Sequence, residues 1–160
     1  MEGNERLGRE TDMGVTREDL KKYISMKQYL VSVLDPKIED AYNTYHSPQL
    51  SAQNGSSGIR EPGDPVSRAQ HKLEKLRDHR KILVNQMIEI EDFVEGIDDW
   101  FEKAICQLHY LEGYTWEATC LNLRKHHSIS VVTSYDAQWW KNYEENKKQK
   151  QEKIGKNEQK

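Results

Sequence analysis

Apolar residues recur every three or four positions along the middle of the chain. From Pro65 onward the steps run three, four, three, four through Val66, Ala69, Leu73, Leu76, Arg80, Leu83, Met87, Ile90, Val94 and Ile97. A 3.5-residue repeat of this length predicts a long helix that needs a partner along one side. Arg80 alone breaks the apolar character. Either its stem packs while its guanidinium reaches the edge, or it is a polar residue that fixes the register.

An earlier segment has the same spacing. Thr16 offers an N-cap with Asp19 three residues later, and Pro36 indicates either a kinked helix or two helices that meet at Asp35. The apolar positions are Leu20, Ile24, Val31, Leu34, Ile38, Ala41 and Tyr45, with Lys27 in the gap. Residues 47–64 are rich in Ser, Gly and Pro and predict a loop. We therefore predict a long, coiled-coil-like antiparallel helical hairpin over 16–97, with self-association through either apolar stripe as the alternative.

The last third of the chain predicts three shorter helices. Gly96 and the Asp98-Asp99 pair are typical of a helix end followed by a new cap, and Gly113 closes the next helix. Thr115 caps a second helix, and Ser128 or Ser130 caps a third. The third helix is expected to bury apolar residues on one side: Val132, Tyr135, Trp139, Trp140 or Tyr143. The predicted organisation is all-α, with a flexible leader at 1–15, the hairpin, a domain at 98–143 and a mildly basic tail at 144–160.

Composition and charge fit this organisation. Hydrophobic residues make up 35 % and charged residues 32 % of the chain, which is lean for a globule but suits a long helical arm. The net charge is −3, yet the segment from Trp116 to Lys160 holds nine Lys/Arg against six Asp/Glu. The first residues lack an apolar signal-peptide core, and no apolar stretch is long enough to span a membrane. We expect a cytoplasmic protein that has no membrane contact.

The three short helices fit a helix-turn-helix, in which two helices brace a third that enters the major groove. The expected DNA-binding residues on the third helix are Ser130, Thr133, Ser134, Gln138 and Lys141. Short hydroxyls and amides can read base edges, and lysine can bind phosphate. Arg124 and Lys125, followed by two histidines, stand where the turn would pass the DNA backbone. Asp136 lies on the same helix and is expected to repel phosphate.

The run from Ala104 to Glu117, AICQLHYLEGYTWE, resembles the "LRYLEGxTWEEIA" stretch of phage late transcriptional regulators of the ArpU/RinA kind. Those proteins are similar to region 4 of bacterial sigma factors. The resemblance covers roughly Leu20 to Tyr143, although only Tyr110 to Glu117 is a specific motif. It implies a phage or prophage regulator that binds promoter double-stranded DNA in the bacterial host cytoplasm. The chain departs from the family pattern at Ala118-Thr119-Cys120, where the family has Glu-Ile-Ala.

Other chemistry has little support in the sequence. Cys106 and Cys120 are expected to be small buried residues. Their spacing with the histidines matches no common zinc site, and no nucleophile or phosphate-loop motif is present, so we predict no enzyme, no cofactor and no metal site. The hairpin is predicted to support a homo-oligomer or contact with RNA polymerase. The alternative functions are a helical phage accessory module that binds a host protein, through the hairpin or through Trp139 and Trp140, and a purely structural coiled-coil subunit.

Overall fold

A computed structural model describes residues 14–46, 65–123 and 127–157. Every regular element in these ranges is helical, which confirms the predicted all-α class. The elements are α1 (Arg17–Tyr29), a π-helical turn π1 (Leu30–Leu34), α2 (Asp35–Tyr45), α3 (Pro65–Glu95), α4 (Trp100–Ile105), a π-helical segment π2 (Cys106–Leu111), α5 (Trp116–Asn122) and α6 (Ile129–Asn157). The predicted loop at 47–64 and residues 1–13 of the predicted leader lie outside the described residues. None of the described helices is long and apolar enough to cross a membrane.

Helix α1 begins as predicted, and Pro36 does not end it. Thr16 and Asp19 form a reciprocal capping box. Pro36 falls in the first turn of α2, but the preceding residues are already helical, so its missing N–H leaves a gap in the hydrogen bonds of a continuous helix. The wider turn π1 precedes it, and the Asp35 N–H donates to the carbonyl of Leu30, five residues back. The chain therefore stays helical from Arg17 to Tyr45, with the π turn taking up the irregularity.

Helix α3 runs antiparallel to α1 and α2 along its apolar stripe. The Tyr23 hydroxyl donates to Glu91 near one end, and Arg80 Nε lies 2.8 Å from Asp35 Oδ1 further along. Buried residues on α3 and just beyond it are Val66, Leu73, Leu83, Met87, Ile90, Val94 and Ile97. We call this contact the seam. Because a single chain already covers these side chains, the seam is not an open surface for self-association. Arg80 keeps its guanidinium at the exposed edge of the seam.

One predicted seam position, Val31, is wrong. Val31 is 61 % exposed, whereas Leu30, Leu34 and Tyr23 are buried. The cause is a difference between α1 and π1. Helix α1 packs against both α3 and π2, and its Ile24 lies beside Gly113, whereas π1 packs against α3. Val31 is seven residues after Ile24 and therefore lies on the same side of the helix, the side that packs against π2. That packing does not extend as far as Val31, so the Val31 side chain is exposed.

The C-terminal helices share the core of the first half. One cluster of buried residues combines Leu20, Leu34 and Val94 with Tyr110 and Trp140, across the predicted domain boundary at 97/98. A second, smaller cluster lies wholly in the last third: Ile105, Cys120, Leu123 and Val132. The last helix continues through most of the predicted tail at 144–160, because α6 extends to Asn157. Lys, Glu and Gln, which favour helix, fill the extension.

Candidate nucleic-acid interface

Two short helical pieces brace the start of α6. Asp99 caps α4 by accepting hydrogen bonds from the Phe101 and Glu102 N–H groups, as predicted for the Asp98-Asp99 pair. Gly113 has a left-handed φ of 77°, which ends π2, and Thr115 then caps α5 by accepting from the Ala118 N–H. The smaller apolar cluster, which includes Ile105 and Val132, joins these pieces to the first turns of α6.

The outward side of α6 carries four of the predicted DNA-binding side chains. Ser130, Ser134, Gln138 and Lys141 are all exposed, and their spacing of three and four residues places them along one side of the helix. We call these four residues the reading face. From Ser130 to Lys141 the reading face is about 16 Å long, at the helical rise of 1.5 Å per residue. That length suits one passage through a major groove about 12 Å wide.

The hydrogen bonds of the predicted residues differ along the helix. The Thr133 hydroxyl donates to the carbonyl of Ile129 at 2.9 Å, and Thr133 is half-buried beside the reading face. Gln138 Nε2 donates to Asn142 Oδ1 at 2.8 Å, which pre-orients the exposed amide. The Ser128 and Ser130 hydroxyls lie 3.0 Å apart at the start of the helix. Of the predicted DNA-binding residues that the structure describes, Thr133 is therefore the one whose hydroxyl is least accessible to DNA.

Most of the predicted basic turn falls outside the described residues. Arg124 and Lys125, with His126, lie outside the described residues. His127 is described, and its ring contacts Phe101 edge-on with 5.1 Å between the ring centres. The contact orients the chain just before α6. The contribution of Arg124 and Lys125 to DNA binding therefore remains a prediction.

Asp136 does not face outward, contrary to the expectation that it would repel phosphate. It is fully buried and forms an ion pair with Arg17, the first residue of α1. The Tyr110 hydroxyl also lies 3.1 and 3.2 Å from the two Asp136 carboxyl oxygens, and Arg17 Nε donates to the same hydroxyl at 3.1 Å. The negative charge is thus paired on the inner side of α6, away from the reading face.

A second carboxyl group lies in the same interior region. Glu102, on α4, is fully buried, and its Oε1 accepts a hydrogen bond from Cys106 Sγ at 3.5 Å. Burial first, and then the negative charge of Asp136, raise the pKa of Glu102 to about 8. Burial likewise raises the pKa values of the Cys106 thiol and the Tyr110 hydroxyl. We call Arg17, Glu102, Tyr110 and Asp136 the buried charge cluster.

The aromatic residues of α6 are mostly internal. Trp140 is 2 % exposed, and the half-buried Trp139 is stacked on Tyr143 at an angle of 6° between the rings. Tyr135, expected to be buried, is 38 % exposed, and its hydroxyl donates to Asp99. The exposed tryptophan is Trp100, at 67 %. An exposed aromatic anchor is therefore found at the first residue of α4 rather than at Trp139 and Trp140.

Metal-binding geometry is absent from the described part of the chain. No group of three or more His, Cys, Asp and Glu side chains there could hold a metal ion. Cys106 and Cys120 are free and buried, as expected from the sequence. Ring stacking occupies His109, which lies 3.7 Å from Trp116 between ring centres, and its Nδ1 is 2.7 Å from the Tyr114 carbonyl oxygen.

Comparison with known proteins gave no match: no family model, no curated protein and no solved structure is similar to the chain. The resemblance to phage late regulators therefore stays a prediction. The residues that carry it form one structural unit nonetheless. Tyr110 enters the buried charge cluster, Gly113 makes the left-handed turn, and Thr115 and Trp116 start α5.

Sequence reasoning missed two features of the site. The partners of Asp136 are 119 and 26 residues away, so no local pattern indicates them. Lys148 is the second feature: it is exposed on the extension of α6, seven residues after Lys141 and hence on nearly the same side of the helix. Extending the helical periodicity past residue 143 could have found Lys148.

Proposed function

We propose that this chain is a phage or prophage-type transcriptional regulator that binds promoter DNA through α6, in the manner of a sigma region 4-like helix-turn-helix. The single observation that carries the proposal is the exposed row of hydroxyl, amide and amine groups at Ser130, Ser134, Gln138 and Lys141. Side chains of these types bind base edges and phosphates in the major groove. The inward, paired position of Asp136 removes the acidic group that the sequence set against such a surface. The exposed Glu145, between Lys141 and Lys148 on the same side of the helix, is the acidic group that stays there.

The reading face divides into two kinds of contact. Gln138 can form a bidentate pair with adenine, and the serine hydroxyls can bond to several bases. Lys141 and Lys148 lie further along the helix, where it leaves the groove and passes the phosphates. In this proposal the lysines supply affinity and the amide supplies specificity. The antiparallel helices α1–α3 are then free to support oligomerisation or contact with RNA polymerase through their outer faces.

The test is DNA binding measured by fluorescence anisotropy, with fragments that flank the gene cluster of the protein, over a series of salt concentrations. We expect Lys141→Ala to weaken binding to all fragments and to lower the slope of log K against log salt by about 1. Lys150→Ala is the matched control, since Lys150 is exposed on the opposite side of α6. No binding at low salt to any fragment would exclude the proposal.

A protein-binding module is the second candidate, and the observation that favours it is the exposure of Trp100. Large aromatic side chains often supply much of the energy of protein interfaces. The Trp100 and Phe101 rings meet edge-on, with 5.6 Å between the ring centres, and this contact holds the indole at the surface. If this candidate is right, a host protein is retained in a pull-down at high salt, and Trp100→Ala abolishes the retention. Binding that persists in the variant, or that salt removes, would count against it.

A further inference from the structure

The buried charge cluster has an uneven charge balance. Glu102 and Asp136 are both fully buried, and Arg17 is the only cation that forms an ion pair with either of them among the described residues. Two ionised carboxyl groups beside one guanidinium would leave a net buried negative charge, which is costly in a low dielectric. Since Arg17 pairs with Asp136, the group left without a cation is Glu102.

The surroundings of Glu102 offer no other compensation. The titratable groups that interact with Glu102, or with its neighbours Cys106 and Asp136, are Arg17 from α1, Asp99 from the turn before α4, Cys106 and Tyr110 from π2, and Tyr135 and Asp136 from α6. Every one except Arg17 is an acid. Glu102 Oε2 accepts no hydrogen bond from any described residue. An uncharged carboxyl group suits this place, because a neutral acid can donate a proton toward Asp136 and needs no cation.

The cluster also controls the orientation of α6. Asp136 stands two residues after Ser134 and two before Gln138, so its inward side chain anchors the turn that presents them outward. Its partner Arg17 is the first residue of α1, which is held in turn by the seam. Rotation of α6 about its axis would break the ion pair and both Tyr110 hydrogen bonds. The cluster thus fixes the direction in which the reading face points.

We propose that Arg17 and Asp136 are positioning residues for the reading face, and that they hold α6 in its DNA-binding orientation only while Glu102 remains uncharged. The DNA part of this inference rests on the proposed function. The state of Glu102 and its effect on stability do not. Ionised Glu102 would repel the Asp136 carboxylate and draw water into the cluster, and α4 or α6 would shift to separate the two charges.

The direction of the pH dependence follows from the acid. In the unfolded chain Glu102 loses its proton near the usual pKa of 4.5, whereas in the folded protein its pKa is about 8. Between these values the folded state binds one more proton, so stability falls as pH rises through this window and levels off above it. If only the protonated form presents the reading face, one pH unit above this pKa leaves about a tenth of the molecules competent, and the apparent Kd rises about tenfold.

The test compares the wild type with Glu102→Gln, in which a neutral amide replaces the neutral acid. Three quantities are measured in the full chain from pH 6 to pH 9: the side-chain carboxyl carbon shift of Glu102 by NMR, the Tm, and the Kd for a DNA fragment bound at pH 7. We expect a titration midpoint near 8, a wild-type Tm that falls with pH, and an about tenfold weaker wild-type Kd at pH 9 than at pH 7. Glu102→Gln should keep both Tm and Kd nearly constant. Glu89→Gln, on an exposed position of α3, should behave as the wild type.

The positioning role has its own readout. Arg17→Met should weaken DNA binding at pH 7, Arg17→Lys should restore part of it, and the neighbouring variant Lys21→Met should bind normally. A midpoint for Glu102 near 4.5, or an equal loss of DNA affinity at pH 9 in Glu102→Gln, contradicts the inference. Failure of the wild type to bind any DNA refutes the proposed function and the positioning role together, while the titration and the Tm series still decide whether Glu102 is uncharged.

Discussion

Helix α1 is held on two sides by contacts of different physical kinds. Along α3 it is held, together with the following turn π1, by the seam, where apolar side chains such as Leu34 and Val94 are fully buried. Toward π2 and α6 it shares the apolar core, and Arg17 adds the buried charge cluster on that side. Burial of apolar area is non-directional and tolerates small shifts, whereas the cluster needs its partners at hydrogen-bond distance. The seam therefore contributes stability, and the cluster contributes a defined orientation of α6.

The largest expected effect is at the seam. Leu34→Ala removes a fully buried side chain and should lower the free energy of unfolding by about 2–5 kcal/mol. Val31→Ala is the matched control, because the sequence pattern also assigned Val31 to the seam although its side chain is mostly exposed. Val31→Ala should lower the free energy of unfolding by less than about 0.5 kcal/mol, as is usual for a surface position. Urea denaturation measures both, and equal losses would contradict the described inner face of π1.

An intermediate effect is expected at the cluster. Arg17→Met leaves Asp136 buried without its cation, a change that costs about 3–5 kcal/mol in a fully buried pair. Since the Arg17 side chain is 30 % exposed, we expect about 2–3 kcal/mol here. The matched control is Arg80→Met, which breaks an exposed ion pair with Asp35 and should cost about 0–1 kcal/mol. If both variants lose the same small amount in urea denaturation, the cluster does not hold α6.

The smallest effect on stability is expected at Gly113, where the turn after π2 meets α1. Gly113 has a left-handed φ, and an added Cβ there would lie 3.3 Å from Ile24 of α1. Gly113→Ala combines backbone strain with this close contact, and we expect a loss of about 1–2 kcal/mol in thermal denaturation. Gly96→Ala is the control, because its φ is not left-handed and its nearest contact for a Cβ is 3.4 Å. A stabilised Gly113→Ala protein would show that this turn is not strained.

The sequence predicted the seam far better than the cluster, for a physical reason. Seam residues repeat at helical spacing, so the period alone identifies Leu73, Leu83 and Val94 as buried. Caps at Thr16, Asp99 and Thr115 were also predictable, because each satisfies N–H groups within three residues. The predicted burial of Val31 was wrong because it depends on how far the neighbouring element extends along the helix, and the spacing of apolar residues carries no information about that.

The candidate site was predictable only on its outward side. Ser130, Ser134, Gln138 and Lys141 follow from the period of α6 once its inner side is known. Asp136 was assigned to the wrong environment because its partner Arg17 is distant in the chain. Pairing between such positions is created by the packing of α1 against π2 and of α4 and α5 against α6, and no local sequence rule reports it.

The most direct test of the central claim, that the outward side of α6 reads DNA, is selection of preferred sequences from a random duplex library. We expect the wild type to enrich one motif, and Gln138→Ala to lose the preference for adenine at one position of it, at a cost of about 1–3 kcal/mol for that base pair. Gln149→Ala, further along the same helix, should enrich the unchanged motif. A library that shows no enrichment, or a Gln138→Ala protein with the full wild-type motif, would contradict the account.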